Sequence, residues 1–107
     1  MQPTADMKAE QLVEYPASLA DEGGVPYVSR ALGRRRADGL WEGWLEFERV
    51  GGDVRVRTER ETTQPNHTDL VYWASGLTAV YLEGAFRRAV EAAPAEREGL
   101  VAPTSGP

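Results

Sequence analysis

The chain of 107 residues contains no cysteine and a single histidine. These scarcities exclude disulfide frameworks, thiol nucleophiles, iron–sulfur clusters, thiolate zinc sites and multi-histidine metal centres, so neither a metal nor another cofactor is expected. Long apolar runs are missing too. Nothing approaches the roughly 18 residues that a membrane-spanning helix needs, and Met1 to Asp6 lack the basic segment and apolar stretch of an export signal. A soluble, cytoplasmic protein without a membrane partner is the expectation. Positive charge is also in deficit, with 12 basic against 17 acidic side chains and a formal charge of −5. That balance argues against a polyanion binder acting through bulk charge, and leaves only a local basic patch open.

What is present fits one domain with one core, given 41% hydrophobic residues. Residues 1–11 are polar and aperiodic, and residues 94–107 mix proline, alanine, glycine and glutamate. Both read as flexible tails around a domain spanning 12–93. Within it the hydrophobic period changes at Gln64-Pro65-Asn66, from two before that point to nearly 3.6 after it.

Four stretches alternate: Leu12 to Leu19, Val25 to Arg36, Leu40 to Val50 and Val54 to Thr62. The spacers between them carry glycine, as tight hairpins require. A three-residue loop at Ala37-Asp38-Gly39 sets Arg34 against Glu42 and Arg30 against Glu46. A two-residue turn at Gly51-Gly52 sets Glu46 against Arg57 and Glu48 against Arg55 on the same face. The same register places Glu61 opposite Glu42. The other face collects Tyr27, Trp41, Leu45, Phe47, Val56, Val13, Tyr15, Ala17 and Leu19 around a small centre of Ser29, Ala31, Gly33 and Gly43. That is a core face with room for bulky side chains from a covering layer.

After residue 65 two helices are expected. Asn66 and Asp69 form a capping arrangement, Leu70, Trp73, Ala74 and Leu77 make one stripe, and Gly76 ends the first helix. Thr78 caps the second, whose stripe is Leu82, Ala85, Phe86, Ala89, Val90 and Ala93. A rival reading makes residues 79–83 a strand, because Val80-Tyr81-Leu82 is β-prone. The architecture is α+β, a four-stranded antiparallel β-meander with two C-terminal helices packed on one face.

Catalytic chemistry finds little support. His67 sits in the first turn of a helix, where the dipole disfavours its protonation, and no partner is identifiable. Glu46 with Glu48, or Glu59 with Glu61, fall about 7 Å apart on a strand, but arginines face most of these acids. No catalytic residue is assigned. A small-ligand enzyme with a pocket near Gln64, Asn66 and His67 remains as a third reading.

Two binding readings are stronger. Trp44 projects opposite Leu32, away from the core, with Arg34 and Arg57 nearby. An exposed aromatic anchor rimmed by charges has the composition of a protein contact site; alternatively Trp44 shields a neighbouring backbone or is covered by one of the tails. The partner would be another protein or a second copy of this chain. Alternatively Arg34, Arg35 and Arg36, with Arg55 and the sheet face, could bind nucleic acid or a nucleotide. Arg34 and Arg55 face glutamates in the derived register, which weakens the field for phosphates.

The segments Trp41-Glu42-Gly43-Trp44-Leu45-Glu46-Phe47, Glu61-Thr62-Thr63-Gln64-Pro65-Asn66 and Tyr72-Trp73-Ala74-Ser75-Gly76-Leu77, with Val80-Tyr81-Leu82-Glu83-Gly84-Ala85, resemble the signature segments of a group of short bacterial proteins with no known activity. The resemblance covers Leu12 to about Val90 and implies no activity, cofactor or site residue.

Overall fold

The computed structural model describes the backbone of residues 8–105 and, within that range, all side chains except those of 17, 18 and 93–105. Strands β1 (Glu10–Ala20), β2 (Pro26–Arg35), β3 (Trp41–Arg49), β4 (Arg55–Arg57) and β5 (Thr62–Gln64) are followed by helices α1 (His67–Ser75) and α2 (Ala79–Ser105). The α+β class is as expected, and both helices pack on one face of an antiparallel sheet. The sheet has five strands rather than four, because the expected fourth strand divides into β4 and β5. Both pair with β3, and the remaining order is β1-β2-β3-β4.

The hairpin registers follow from the turns. Arg34 pairs with Glu42, Arg30 with Glu46 and Leu32 with Trp44 across β2 and β3, while Arg57 faces Glu46 and Arg55 faces Glu48 across β3 and β4. Gly39 at φ 89°, and Gly51 and Gly52 at φ 108° and 82°, occupy the left-handed region that an L side chain resists. The chain leaves the β3 ladder at Thr58, whose N–H donates to Leu45 O at 2.9 Å, and re-enters two residues out of step, so Glu42 faces Thr63 and not Glu61. That offset separates two carboxylates that a continuous strand would have opposed, and it corrects the expected Glu42–Glu61 pairing.

The edge strand β1 is irregular. Its register shifts between Gln11 and Val13, which directs both Leu12 and Val13 to the core, and again between Tyr15 and Leu19, around Pro16. Proline has no N–H to give a ladder, so it belongs at such a break.

The inner face is the one expected. Tyr15, Tyr27, Ser29, Ala31, Leu45, Phe47 and Val56 are buried, and Ala17 lies outside the described side chains. Trp41 departs from the expectation, being half-exposed at the end of β3. Gly33 and Gly43 face one another across β2 and β3 and leave a gap in the sheet. A Cβ on Gly33 would lie 2.5 Å from Leu70 Cδ2 and 3.0 Å from Glu42 O; one on Gly43 would lie 2.8 Å from Trp73 Cζ3. The α1 stripe thus seats its two largest members in the glycine gap. Phe86 of α2 fills the other end of the face, with ring centroids 4.8 Å from Tyr27 and 5.2 Å from Phe47.

Both helix starts carry the expected caps. Asn66 Oδ1 accepts from Asp69 N at 2.8 Å, and Thr78 Oγ1 accepts from Tyr81 N at 3.1 Å. Gly76 closes α1 by donating its N–H to Trp73 O. Residues 79–83 are helical, which settles the strand-or-helix alternative. The range of α2 also includes residues 94–105, assigned to a tail on composition. Ala95, Glu96, Arg97 and Glu98 are good helix formers despite their prolines and glycine neighbours. Residues 1–7 of the other expected tail lie outside the described residues, and β1 begins at Glu10. Among the described residues, no helix is long and apolar enough to cross a membrane.

Alanine substitution of the glycines should separate packing from helix propensity. Gly33→Ala is expected to destabilise by about 1–3 kcal/mol, because Leu70 and the Glu42 carbonyl must both give way. Gly84→Ala, which meets nothing within 4 Å, is expected to stabilise by about 0.5–1 kcal/mol through helix propensity. Urea unfolding of both variants checks the pair; equal effects would contradict the glycine-gap packing.

Candidate interaction face

The sheet face opposite the helices carries a cross-strand lattice of arginines and glutamates. Arg34 Nε lies 2.7 Å from Glu42 Oε2, directly across the ladder. Arg30 reaches diagonally to Glu48 at 2.8 Å and to Glu14 of β1 at 3.3 Å, instead of to Glu46 opposite it. The Arg30 hydrogen bond holds the Glu48 carboxyl below its ordinary value. Arg55 lies 3.6 Å from Glu48 and 4.0 Å from Glu46. Alternation on neighbouring strands makes this lattice, and half-exposed partners keep each pair modest in energy.

Trp44 stands in the middle of the lattice and is covered, the alternative to an exposed anchor. Its side chain does point away from the helices, opposite Leu32, but only 4% of the residue is exposed. Long side chains from the flanking strands lie over it. The guanidinium carbon of Arg57 is 4.6 Å from the ring centroid and that of Arg34 is 5.5 Å away. The aromatic face attracts each cation, and the aliphatic stems cover the ring. The indole is therefore a support beneath two arginines and not itself an exposed anchor. Its Nε1 finds no acceptor among the described residues. Arg57 donates from Nε to Thr58 O at 3.4 Å, and no described carboxylate lies within 4 Å of it.

The loop candidates are not drawn together. Gln64 Nε2 donates to Thr62 Oγ1 at 2.6 Å, and Asn66 is occupied by the α1 cap. His67 Nε2 lies 2.7 Å from Glu10 Oε2, and its ring meets Trp41 edge-on at 4.9 Å. Gln64 and Asn66 serve local contacts, whereas His67 reaches across to Glu10 of β1, a partner that the sequence did not identify. A cleft of about 790 Å³ lies elsewhere, between the β1–β2 turn and the Phe86–Val90 part of α2.

A further cluster escaped the pattern. Glu61, displaced from the ladder, is 92% buried at its side chain, accepts from Tyr81 OH, and lies 2.8 Å from Arg88 Nη1. Burial alone would raise the Glu61 pKa, but the Arg88 and Tyr81 hydrogen bonds outweigh it and hold the carboxyl below its ordinary value. Burial, then Glu61, push the Tyr81 phenol up. Both shifts lead away from neutrality, so the trio suits a clamp of α2 on the strand edge better than proton transfer. The like-charge opposition of Glu42 and Glu61 was the only signal in the sequence, since it made an unbroken fourth strand unfavourable. Tyr15 is a second clamp. Its hydroxyl donates to Ala74 O at 2.6 Å, and burial pushes its pKa up to about 12.

Two measurements check this geometry. Trp44→Ala is expected to destabilise the fold by about 3–5 kcal/mol, more than Trp41→Ala, whose ring is already half-exposed. The opposite ranking in urea unfolding would contradict the buried support. The clamp gives a pH signature. A lowered folded pKa contributes stability that is complete above the ordinary glutamate value, about 4.3, and is lost as pH falls through the folded value. Wild type and Glu61→Gln should therefore differ most near neutrality and converge in acid; a constant difference would exclude the clamp.

No protein-family model, no curated protein and no solved structure matches this chain.

Proposed function

We propose that the domain is a non-catalytic protein-interaction module that works in the cytoplasm. Its contact surface would be the outer sheet face around Leu32, Arg34 and Arg57, over Trp44. The observation that carries this reading is the pair of guanidinium groups resting on one buried indole. An arginine laid on an aromatic plane has already lost much of its rotamer freedom, so less is lost again when a partner's acceptor engages its donors. The partner this favours is acidic or rich in carbonyl acceptors. Because Trp44 is buried, the groups that this face offers a partner are the arginines and not the indole.

Nucleic-acid binding through Arg34, Arg35, Arg36 and Arg55 is supported less. Arg34 and Arg36 already pair with Glu42 and Asp38, and base stacking needs an open ring where Trp44 is covered.

The test is affinity purification from the native host with immobilised wild type and with the Arg34→Ala/Arg57→Ala variant. Circular dichroism and unfolding should show that the variant stays folded. A partner recovered by wild type should fall by about tenfold or more on the variant, the loss of roughly 1.4 kcal/mol or more of contact. Equal recovery on both would contradict the reading.

A further inference from the structure

We infer that the open side of β4 is a docking edge for an extended acidic segment of a partner protein, which joins the sheet as another antiparallel strand. The inference rests on the outer-face reading and specifies the partner's chemistry and backbone form.

It begins with the main chain. Thr58 N–H donates to Leu45 O at 2.9 Å, and Arg49 N–H donates to Val54 O at 2.8 Å. In an antiparallel ladder, inward-bonded and outward-pointing positions alternate. Val54, Val56 and Thr58 therefore direct their backbone groups to β3, while Arg55 and Arg57, opposite Glu48 and Glu46, turn theirs to the open side. β5 does not cover that side, because it pairs further along β3, with Trp41 to Gly43. The space beside the edge is a cleft of about 240 Å³, floored by Val56, Ala89 and Ala92 and bordered by Arg55, Arg57 and Glu59.

Side-chain alternation then defines the occupant. Arg55 and Arg57 lie on the outer face, and Val56 between them points to the core. A strand laid alongside places two of its side chains next to the arginines and the intervening one over Val56 and the α2 alanines. The matching pattern is acid, small apolar, acid, with the main-chain bonds giving affinity and the alternate side chains giving specificity. Charge favours such a segment. Arg55 is 61% exposed and only loosely held by its glutamates, and Arg57 rests on Trp44. The opposite edge of the sheet offers the reverse. β1 carries Glu10 and Glu14, is interrupted at Pro16, and shifts register twice, which are features that discourage pairing.

The probe is a capped hexapeptide, Thr-Glu-Val-Glu-Val-Thr, titrated into the isotope-labelled full chain and followed by NMR with amide hydrogen exchange. The expected result is saturable shifts over residues 54–58 and about tenfold or greater slowing of exchange at the Arg55 and Arg57 amides. Binding should weaken by about tenfold or more with Arg57→Ala, and with a peptide N-methylated on the backbone groups that face β4. Binding that survives N-methylation, without protection at Arg55 and Arg57, would overturn strand addition. No binding of the unmodified peptide at millimolar concentration would overturn it too. So would protection of those amides in the peptide-free chain that grows with protein concentration, which would give the edge to a second copy. The outer-face reading fails separately, when partner recovery is indifferent to Arg34 and Arg57.

Discussion

The opposed glycines Gly33 and Gly43 are the constraint on which the architecture depends. Without side chains they open a gap between β2 and β3, and Leu70 and Trp73 of α1 descend into it until a Cβ would collide with them. Close approach there brings the first helix onto the inner face of the sheet. Tyr15 then ties the end of that helix through the Ala74 carbonyl, and Glu61 ties the second helix through Tyr81 and Arg88. Apolar burial dominates the stability, while the two polar clamps determine where each helix rests.

With both helices on one face, the other is left to its own side chains. A two-layer domain of this size has no third layer to cover it. The outer face is dressed with cross-strand arginine–glutamate pairs, and its aromatic group, Trp44, lies beneath Arg34 and Arg57. This arrangement hides the indole from water and at the same time holds two cations in place. On the proposed reading, these cations are the groups that recognise a partner's acceptors. The shifts at Glu61, Tyr81 and Tyr15 all lead away from neutrality, as fits groups that clamp helices to the sheet.

Much of the fold was legible because hairpin turns transmit register. Once Gly39 and the Gly51-Gly52 pair were placed, the partners of Arg34, Leu32, Glu46 and Glu48 followed by counting, and so did the small centre of the inner face. The helix stripes and the Asn66, Gly76 and Thr78 caps were equally local. Two features share a cause that counting cannot reach. The break in the fourth strand depends on Thr58 bonding Leu45 with both main chain and side chain, and that frees Glu61 to find α2. The burial of Trp44 depends on where two flexible arginines lie down. Alternation assigns a face, but exposure on that face depends on long side chains from neighbouring strands.

The central claim, that Arg57 and Arg34 rest on a buried Trp44, is most directly tested by NMR of the free protein. Ring currents should move the side-chain methylene protons of Arg57 upfield of ordinary arginine positions, with cross-relaxation to the Trp44 indole and slow solvent exchange at Nε1. Methylene shifts at ordinary arginine positions, with a rapidly exchanging Trp44 indole, would contradict the account.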